Sequence, residues 1–199
     1  HYLTPEGAAF AHALGAQDEQ RDVQSELDFR AAALLEPVVP HGYELRSWIG
    51  AAPDEFVESY ALARNAIDDA PAPDGQTFPA WTVDYVRAQE EAVARRGREL
   101  RVTIALAGAE VVAFTEIRVS PAPARIANTE DTATVPEHRG KGLSQAVKTE
   151  SLRRLRADRP DVERVQTLNA EKNGAMRAVN TKLGFVPVVT LTTAVLRPD

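Results

Sequence analysis

The stretch HRGKGLS, His138 to Ser144, sets two glycines and two cations between an alternating run, TATVP at 132–136, and the helical pattern QAVKTESLRRL at 145–155. Two readings are open: a plain strand-to-helix turn with solvated cations, or a seat for a phosphate. A strand ending at Val135, a tight run of small residues and a helix starting near Leu143 would aim several backbone N–H groups into one concavity at the positive end of the helix. Glycine suits that place because a Cβ would hold an anion off the backbone, and Arg139 and Lys141 add charge. The glycine spacing matches neither a P-loop nor a dinucleotide fingerprint.

Downstream of the loop, VERVQTLNA (162–170) reads as a strand, NGAMRAVNTKLG (173–184) as a helix closed by Gly184, and VPVVTLTTAVL (186–196) as a last strand. Upstream, ARIANTEDTATV (124–135) is a strand, and ELRVTIALAG and EVVAFTEIRV form a hairpin joined at Gly108–Ala109–Glu110. Residues 81–97 place Val83, Val86 and Val93 on one helical face interrupted by Glu90, and Pro53 with acids opens a helix over 53–66. Between these two helices lies the acid- and proline-rich loop DDAPAPDGQTFP, and before them YELRSWIG alternates as a half-buried strand does. The order over 43–196 is β-α-α-β-β-β-α-β-α-β, an α/β arrangement with a mixed sheet.

The two ends repeat one another. EGAAFAHALGAQDEQRDVQSEL reads as helix, Leu14–Gly15, strand, Leu27, and the C-terminal segment reads as helix, Leu183–Gly184, strand, Leu196, with the same separation between the paired leucines. Any helix–glycine–strand unit looks alike, so the spacing alone leaves chance and true repetition open. If the repeat is real, residues 1–28 are the end of a first copy; the chain starts at His1 rather than Met, which leaves room for one.

Bulk composition bounds the rest. At 199 residues, 44% hydrophobic and 26% charged, the chain can bury one full core. The net charge of −6 gives no general reason to bind nucleic acid or an anionic membrane, so an anion needs a local basic site, whereas a cationic substrate is easily accommodated. No apolar run nears the roughly 18 residues that span a bilayer, and no signal segment opens the chain, so a soluble, cytoplasmic protein is the default expectation. With no cysteine there is neither disulfide, thiolate nucleophile nor sulfur metal site.

Arg139-Gly140-Lys141-Gly142-Leu143-Ser144 resembles the pyrophosphate loop of the GNAT superfamily of N-acetyltransferases, with Ser144 where that pattern carries glycine or alanine. TATVPEHRGKGL is similar to the family's fourth strand and turn, and NAEKNGAMRAVNTKLGF to its downstream helix. DDAP at 68–71, with the spacing of FTEI, DTATV and AVK, is similar to a tandem form carrying two acetyltransferase domains in one chain. The resemblance implies an α/β fold, the GNAT (acyl-CoA N-acyltransferase) fold, with a mixed central sheet flanked by helices. It divides the chain into residues 1–29, the tail of a preceding GNAT-like repeat, a linker over 30–42, and an acyltransferase domain over 43–199. Pairing with another GNAT-like domain follows as a possible partnership.

The same resemblance implies acetyl-CoA (acyl-CoA) as co-substrate, no metal, and a small-molecule amine as acceptor. The backbone of Ala133, Thr134 and Val135 would pair with the pantetheine arm, Arg139, Gly140, Lys141, Gly142, Leu143 and Ser144 would hold the pyrophosphate, and Asn173 would lie near the thioester. Without cysteine an acyl-cysteine intermediate is excluded, so the amine attacks directly and needs a base. Glu116, in AFTEI, is the first candidate, its alternative being a solvated strand acid; Glu130 and Asp131 flank the next strand and would act through water. Asn180 stands where the family often places a tyrosine acid, and a neutral amide cannot deliver a proton at neutral pH, although it can hydrogen-bond the sulfur. Asp68 and Asp69 fall where the acceptor pocket is shaped, and facing it they would favour a cationic amine. Tyr60 or Tyr85 could supply the acid, His138 reads as a turn residue, and Trp48 and Trp81 read as core. The competing function is a catalytically degenerate domain that binds acyl-CoA or serves a structural or regulatory role, motivated by Ser144 and Asn180.

Overall fold

The computed structural model describes residues 3–69 and 79–195. Helix α1 (Pro5–Ala13) starts where the Thr4 hydroxyl accepts the Gly7 N–H and proline occupies the first turn. Strand β1 (Gln17–Asp28) follows, then an irregular segment to strand β2 (Glu44–Ile49). Helix α2 (Asp54–Arg64) runs into a 3-10 turn over Asn65–Asp69, and α3 (Val83–Arg95) is capped by Thr82. Strands β3 (Glu99–Ala107), β4 (Glu110–Val119) and β5 (Ile126–Thr134) make a meander, followed by α4 (Leu143–Asp158), β6 (Arg164–Ala170), α5 (Gly174–Lys182) and β7 (Val186–Val195). The expected elements are all present, with α2 shorter than expected because its last turn tightens into 3-10 geometry.

The strands form one seven-stranded sheet in the order β2-β3-β4-β5-β6-β1-β7, antiparallel except for the β5–β6 pair. The segment expected to end a preceding repeat is therefore an interior strand of this sheet: β1 pairs with β6 from Asp22↔Ala170 to Asp28↔Arg164 and with β7 on its other edge. The two helix–glycine–strand units are alike in detail. Each has a nine-residue helix, begun by Thr4 or Asn173 as cap and ended by Leu14–Gly15 or Leu183–Gly184. Just before α1, Leu3 exchanges both backbone hydrogen bonds with Thr192 on the outer edge of β7, at 2.8 and 2.9 Å.

Strand alternation divides the core. Val102, Ile104, Phe114 and Ala133 face α2 and α3 with Val57, Tyr60, Val86 and Val93. Ala113, Ile117 and Val165 face the α4 side, where Leu143 and Val147 pack on Ala113 and where Leu152 and Leu155 meet Leu27 and Phe29 of the N-terminal segment. The acid that interrupts the apolar face of α3, Glu90, is buried, accepting the Ala52 N–H at 2.7 Å and Arg87 at 3.0 Å. No helix of the described residues is long and apolar enough to cross a membrane.

Helix α4 also buries Lys148, 3% exposed, with the Phe185 ring 5.8 Å from Nζ. Burial lowers its amine from the ordinary 10.5 to about 7. The unfolded chain holds that proton up to its ordinary pKa, so unfolding takes up a proton between pH 7 and 10.5: the burial cost is full below 7 and fades as pH rises through that window. Lys148→Met is expected to raise stability at neutral pH by on the order of a few kcal/mol and to flatten its rise between pH 7 and 10, as read from urea midpoints across that range.

Candidate functional site

The site begins with a failure of pairing. Strands β5 and β6 run parallel and hydrogen-bond from Ile126↔Arg164 to Thr129↔Thr167, and beyond Thr129 they separate. At that point β5 carries a bulge, since Thr115 opposes Thr132 while Ile117 opposes Thr129, so that Glu130 and Asp131 share the place opposite Glu116. A bulge bends its strand and increases local twist, which carries the end of β5 away from β6. The split opens into a cavity of about 530 Å³.

Its floor is the end of β5, Thr132, Ala133 and Thr134; its far end is Arg139, Gly140, Gly142, Leu143 and Ser144; and its wall on the α5 side includes Asn173. Gly140 and Gly142 have φ of +76° and +81°, a region other residues enter only with strain, and a Cβ on either would meet nothing within 4 Å. These turns leave the N–H groups of residues 140–145 without hydrogen-bond partners among the described residues, all at the start of α4. Ser144 does not crowd the cradle: its hydroxyl is tied to that of Thr134 at 2.9 Å. The Arg139 Nε donates to the Thr134 carbonyl at 3.0 Å, which plants its guanidinium at the strand end. Among the described residues no acidic side chain lines this cavity, while His138, Arg139 and Lys182 do. In a chain of net charge −6 that is a local reversal of sign.

The other expected site residues fall differently. Val135 sits at the end of β5 with its N–H on the Val112 carbonyl, outside the cavity lining. Lys141 turns to the other side of the loop, where its Nζ donates to the Tyr43 hydroxyl at 2.9 Å, and that hydroxyl also bonds His138 Nδ1 at 2.9 Å. Asn173 caps α5, its Oδ1 accepting the Met176 N–H at 3.1 Å, and lines the cavity. Asn180 does not. It is buried beneath α5 with its Nδ2 on Asn169 Oδ1 at 2.7 Å, because helical periodicity turns it towards β6 while Met176 and Val179 face the cavity.

Glu116 is neither a cleft acid nor a solvated one. It shares the buried strand face of Phe114, is 1% exposed, and is held by the Arg64 guanidinium and the Tyr60 hydroxyl. Arg64 in turn donates to Asp131 at 2.8 Å and lies 3.5 Å from the Trp81 ring centroid. Tyr60 is buried in this cluster, edge-on to Trp48 and Phe114, and burial raises its phenol well above the ordinary range, so it does not serve as an exposed acid. Glu130 is more accessible, its side chain 30% exposed; burial raises its carboxyl, which Arg118 at 3.6 Å opposes and Asp131 reinforces. Asp68 and Asp69 end the 3-10 turn whose Ala66 and Ile67 line the cavity; their side chains lie outside the described residues.

Residues that the sequence reading passed over include Ala175, Met176, Val179 and Lys182, which line the α5 wall. Their spacing is that of one helical face, a signal present in the sequence. Among the described residues no group of histidines, cysteines or acids is arranged to hold a metal.

The sequence model of a family described as "Acetyltransferase (GNAT) family" matches residues 62–185. No curated protein matches the chain. Among solved structures, a "Tandem GNAT protein from the clavulanic acid biosynthesis pathway (without AcCoA)" is 29% identical, with a TM-score of 0.78 over 100% of this chain and 64% of that one. A GCN5-related N-acetyltransferase from Sphaerobacter thermophilus (13% identical, TM-score 0.70, 98% of this chain and 57% of that one) and one from Kribbella flavida (14%, 0.60, 97% and 66%) share the fold. The chain thus spans roughly two thirds or less of the structures it matches.

Proposed function

The chain belongs to the acetyltransferase (GNAT) family, and from that premise we propose that it transfers an acetyl or other acyl group from acyl-CoA to the amine of a small molecule by direct attack. One observation carries this reading: the split between β5 and β6 leads to a cradle whose N–H groups have no partner, and whose lining has no acid, among the described residues. That cradle fits a pyrophosphate, since Gly140 and Gly142 leave open space where a side chain would stand. Gly140 to Ser144 with Arg139 would hold the pyrophosphate, the edge of Ala133 and Thr134 that β6 leaves uncovered the pantetheine arm, and Asn173, whose Nδ2 has no partner among the described residues, the region of the thioester.

A bound acyl-CoA supplies an activated carbonyl to an attacking amine. The chain's part is to place the amine and take its proton. Glu130 is the base in this proposal, directly or through water, because it is partly exposed at the bulge and burial raises its carboxyl. Glu116 has a positioning role through Arg64. Asp68 and Asp69, beside the cavity-lining Ala66 and Ile67, would favour a cationic acceptor. Pairing with a further acetyltransferase-like unit belongs to the same proposal, supported by the antiparallel bridge of Leu3 on the outer edge of β7.

Calorimetric titration with acetyl-CoA, followed by thiol release with a panel of amines, tests the reading; absence of binding overturns it. Arg139→Glu is expected to weaken binding about 30-fold or more, the worth of a charge-assisted hydrogen bond of about 2 kcal/mol, with an unchanged circular dichroism spectrum. Equal affinity would reduce the loop to a turn. A second reading, a domain that binds acyl-CoA without turnover, is favoured by the burial of Asn180 and Tyr60 away from the cavity, which leaves no tyrosine in its lining among the described residues. Tight binding with no turnover on any amine would establish it.

A further inference from the structure

The segment between β1 and β2 crosses α4 and stops beside the phosphate loop. Its first half is fastened: Arg156 donates to the carbonyls of Phe29 and Ala32 with its guanidinium 4.6 Å from the Phe29 ring centroid, and Arg153 pairs with Glu36. Its second half walls a cavity of about 260 Å³, where Leu34, Leu35, Val38 and Pro40 face Lys141 and Lys182. This cavity adjoins the candidate site, since Gly142, Gln145 and Lys182 line both. Its chemistry is specific. Leu35 and Val38 leave 76% and 82% of their surface in water, a costly arrangement for apolar side chains in a pinned segment. Lys182 makes no ion pair among the described residues, and the acid that lines this cavity, Glu36, is engaged by Arg153. A cavity that offers two ammonium groups and an apolar cover, directly behind a pyrophosphate cradle, is complementary to a flat aromatic base carrying a phosphate.

We propose that the linker Leu34–Pro40 is part of the acyl-CoA site, forming with Lys141 and Lys182 the seat of its 3′-phosphoadenosine end. This rests on the acyl-CoA reading above. The two lysines serve the 3′-phosphate and Leu35 with Val38 cover the adenine.

Titration calorimetry of the full chain with CoA, 3′-dephospho-CoA and 4′-phosphopantetheine separates the parts. CoA is expected to bind at least 10-fold more tightly than 3′-dephospho-CoA, and Lys182→Ala to bring that ratio below about 3-fold. Leu35→Ser with Val38→Ser is expected to weaken both nucleotides at least 5-fold and to leave 4′-phosphopantetheine unaffected. Equal affinities for CoA and 3′-dephospho-CoA, a ratio insensitive to Lys182, or a linker variant that binds all three compounds as the parent does would each overturn the proposal while the acyl-CoA reading stands. Failure of all three compounds to bind would overturn both.

Discussion

Arg64→Ala is expected to lower the unfolding free energy by about 3–5 kcal/mol, the loss typical of stranding a buried charge. The reason is what it leaves behind. Glu116 is 1% exposed, and without the guanidinium its carboxylate keeps the Tyr60 hydroxyl alone. The same change removes the hydrogen bond to Asp131 and the cation over the Trp81 ring, which together hold α2 against the bulge in β5. Replacing the pair together, Arg64→Met with Glu116→Leu, is expected to cost much less, because a buried ion pair is often matched by apolar residues of similar volume. Asp131→Asn should cost under about 1 kcal/mol, since its side chain is 39% exposed and its attraction is screened. Urea midpoints on the three variants decide the point, and a loss below 1 kcal/mol for Arg64→Ala would mean that water reaches Glu116.

A chain shortened to residues 43–199 is expected not to fold. It keeps the phosphate loop, both helices of the α2–α3 layer and six of the seven strands, yet it lacks the strand that stands between β6 and β7. Val23, Leu27 and Phe29, each nearly inaccessible to water, go with it, at about 2 kcal/mol apiece. Against a total stability of about 5–15 kcal/mol, those three side chains and two lost ladders are decisive. Far-ultraviolet circular dichroism during urea titration should show no cooperative transition for the shortened chain, and a peptide of residues 15–30 added in excess should restore one. A sigmoidal transition without the peptide would show that β6 and β7 close on each other.

The loop was legible because its requirement is local: two glycines at positive φ between a strand and a helix can be read from seven residues. The two helix–glycine–strand units were legible for the same reason, through the Leu–Gly stops and the strand that follows each. What could not be read was which strands meet. The pairing Asp22↔Ala170 depends on contacts across most of the chain, and no local pattern states it. Glu116 shows the same limit in the site. Alternation says that a strand acid lies on one face or the other, while the helix covering that face is a tertiary fact. A trace of the answer was nevertheless present, because Tyr60 and Arg64 stand one helical turn apart, ready to meet the same partner. The α5 wall was equally open to a periodicity reading, and Lys182 went unnoticed because a lysine in a last helical turn has an ordinary explanation in the helix dipole.

The interior position of β1 bears on how the chain is made. Synthesis releases this strand well before its two partners, Arg164–Ala170 and Val186–Val195. A nascent chain therefore carries a strand with both edges open until those partners emerge, and this side of the sheet closes only then. Contacts of such separation slow folding and lengthen exposure to wrong partners. The charged residues of its first half, QDEQRD, suit that wait, because charged edges discourage association with other chains.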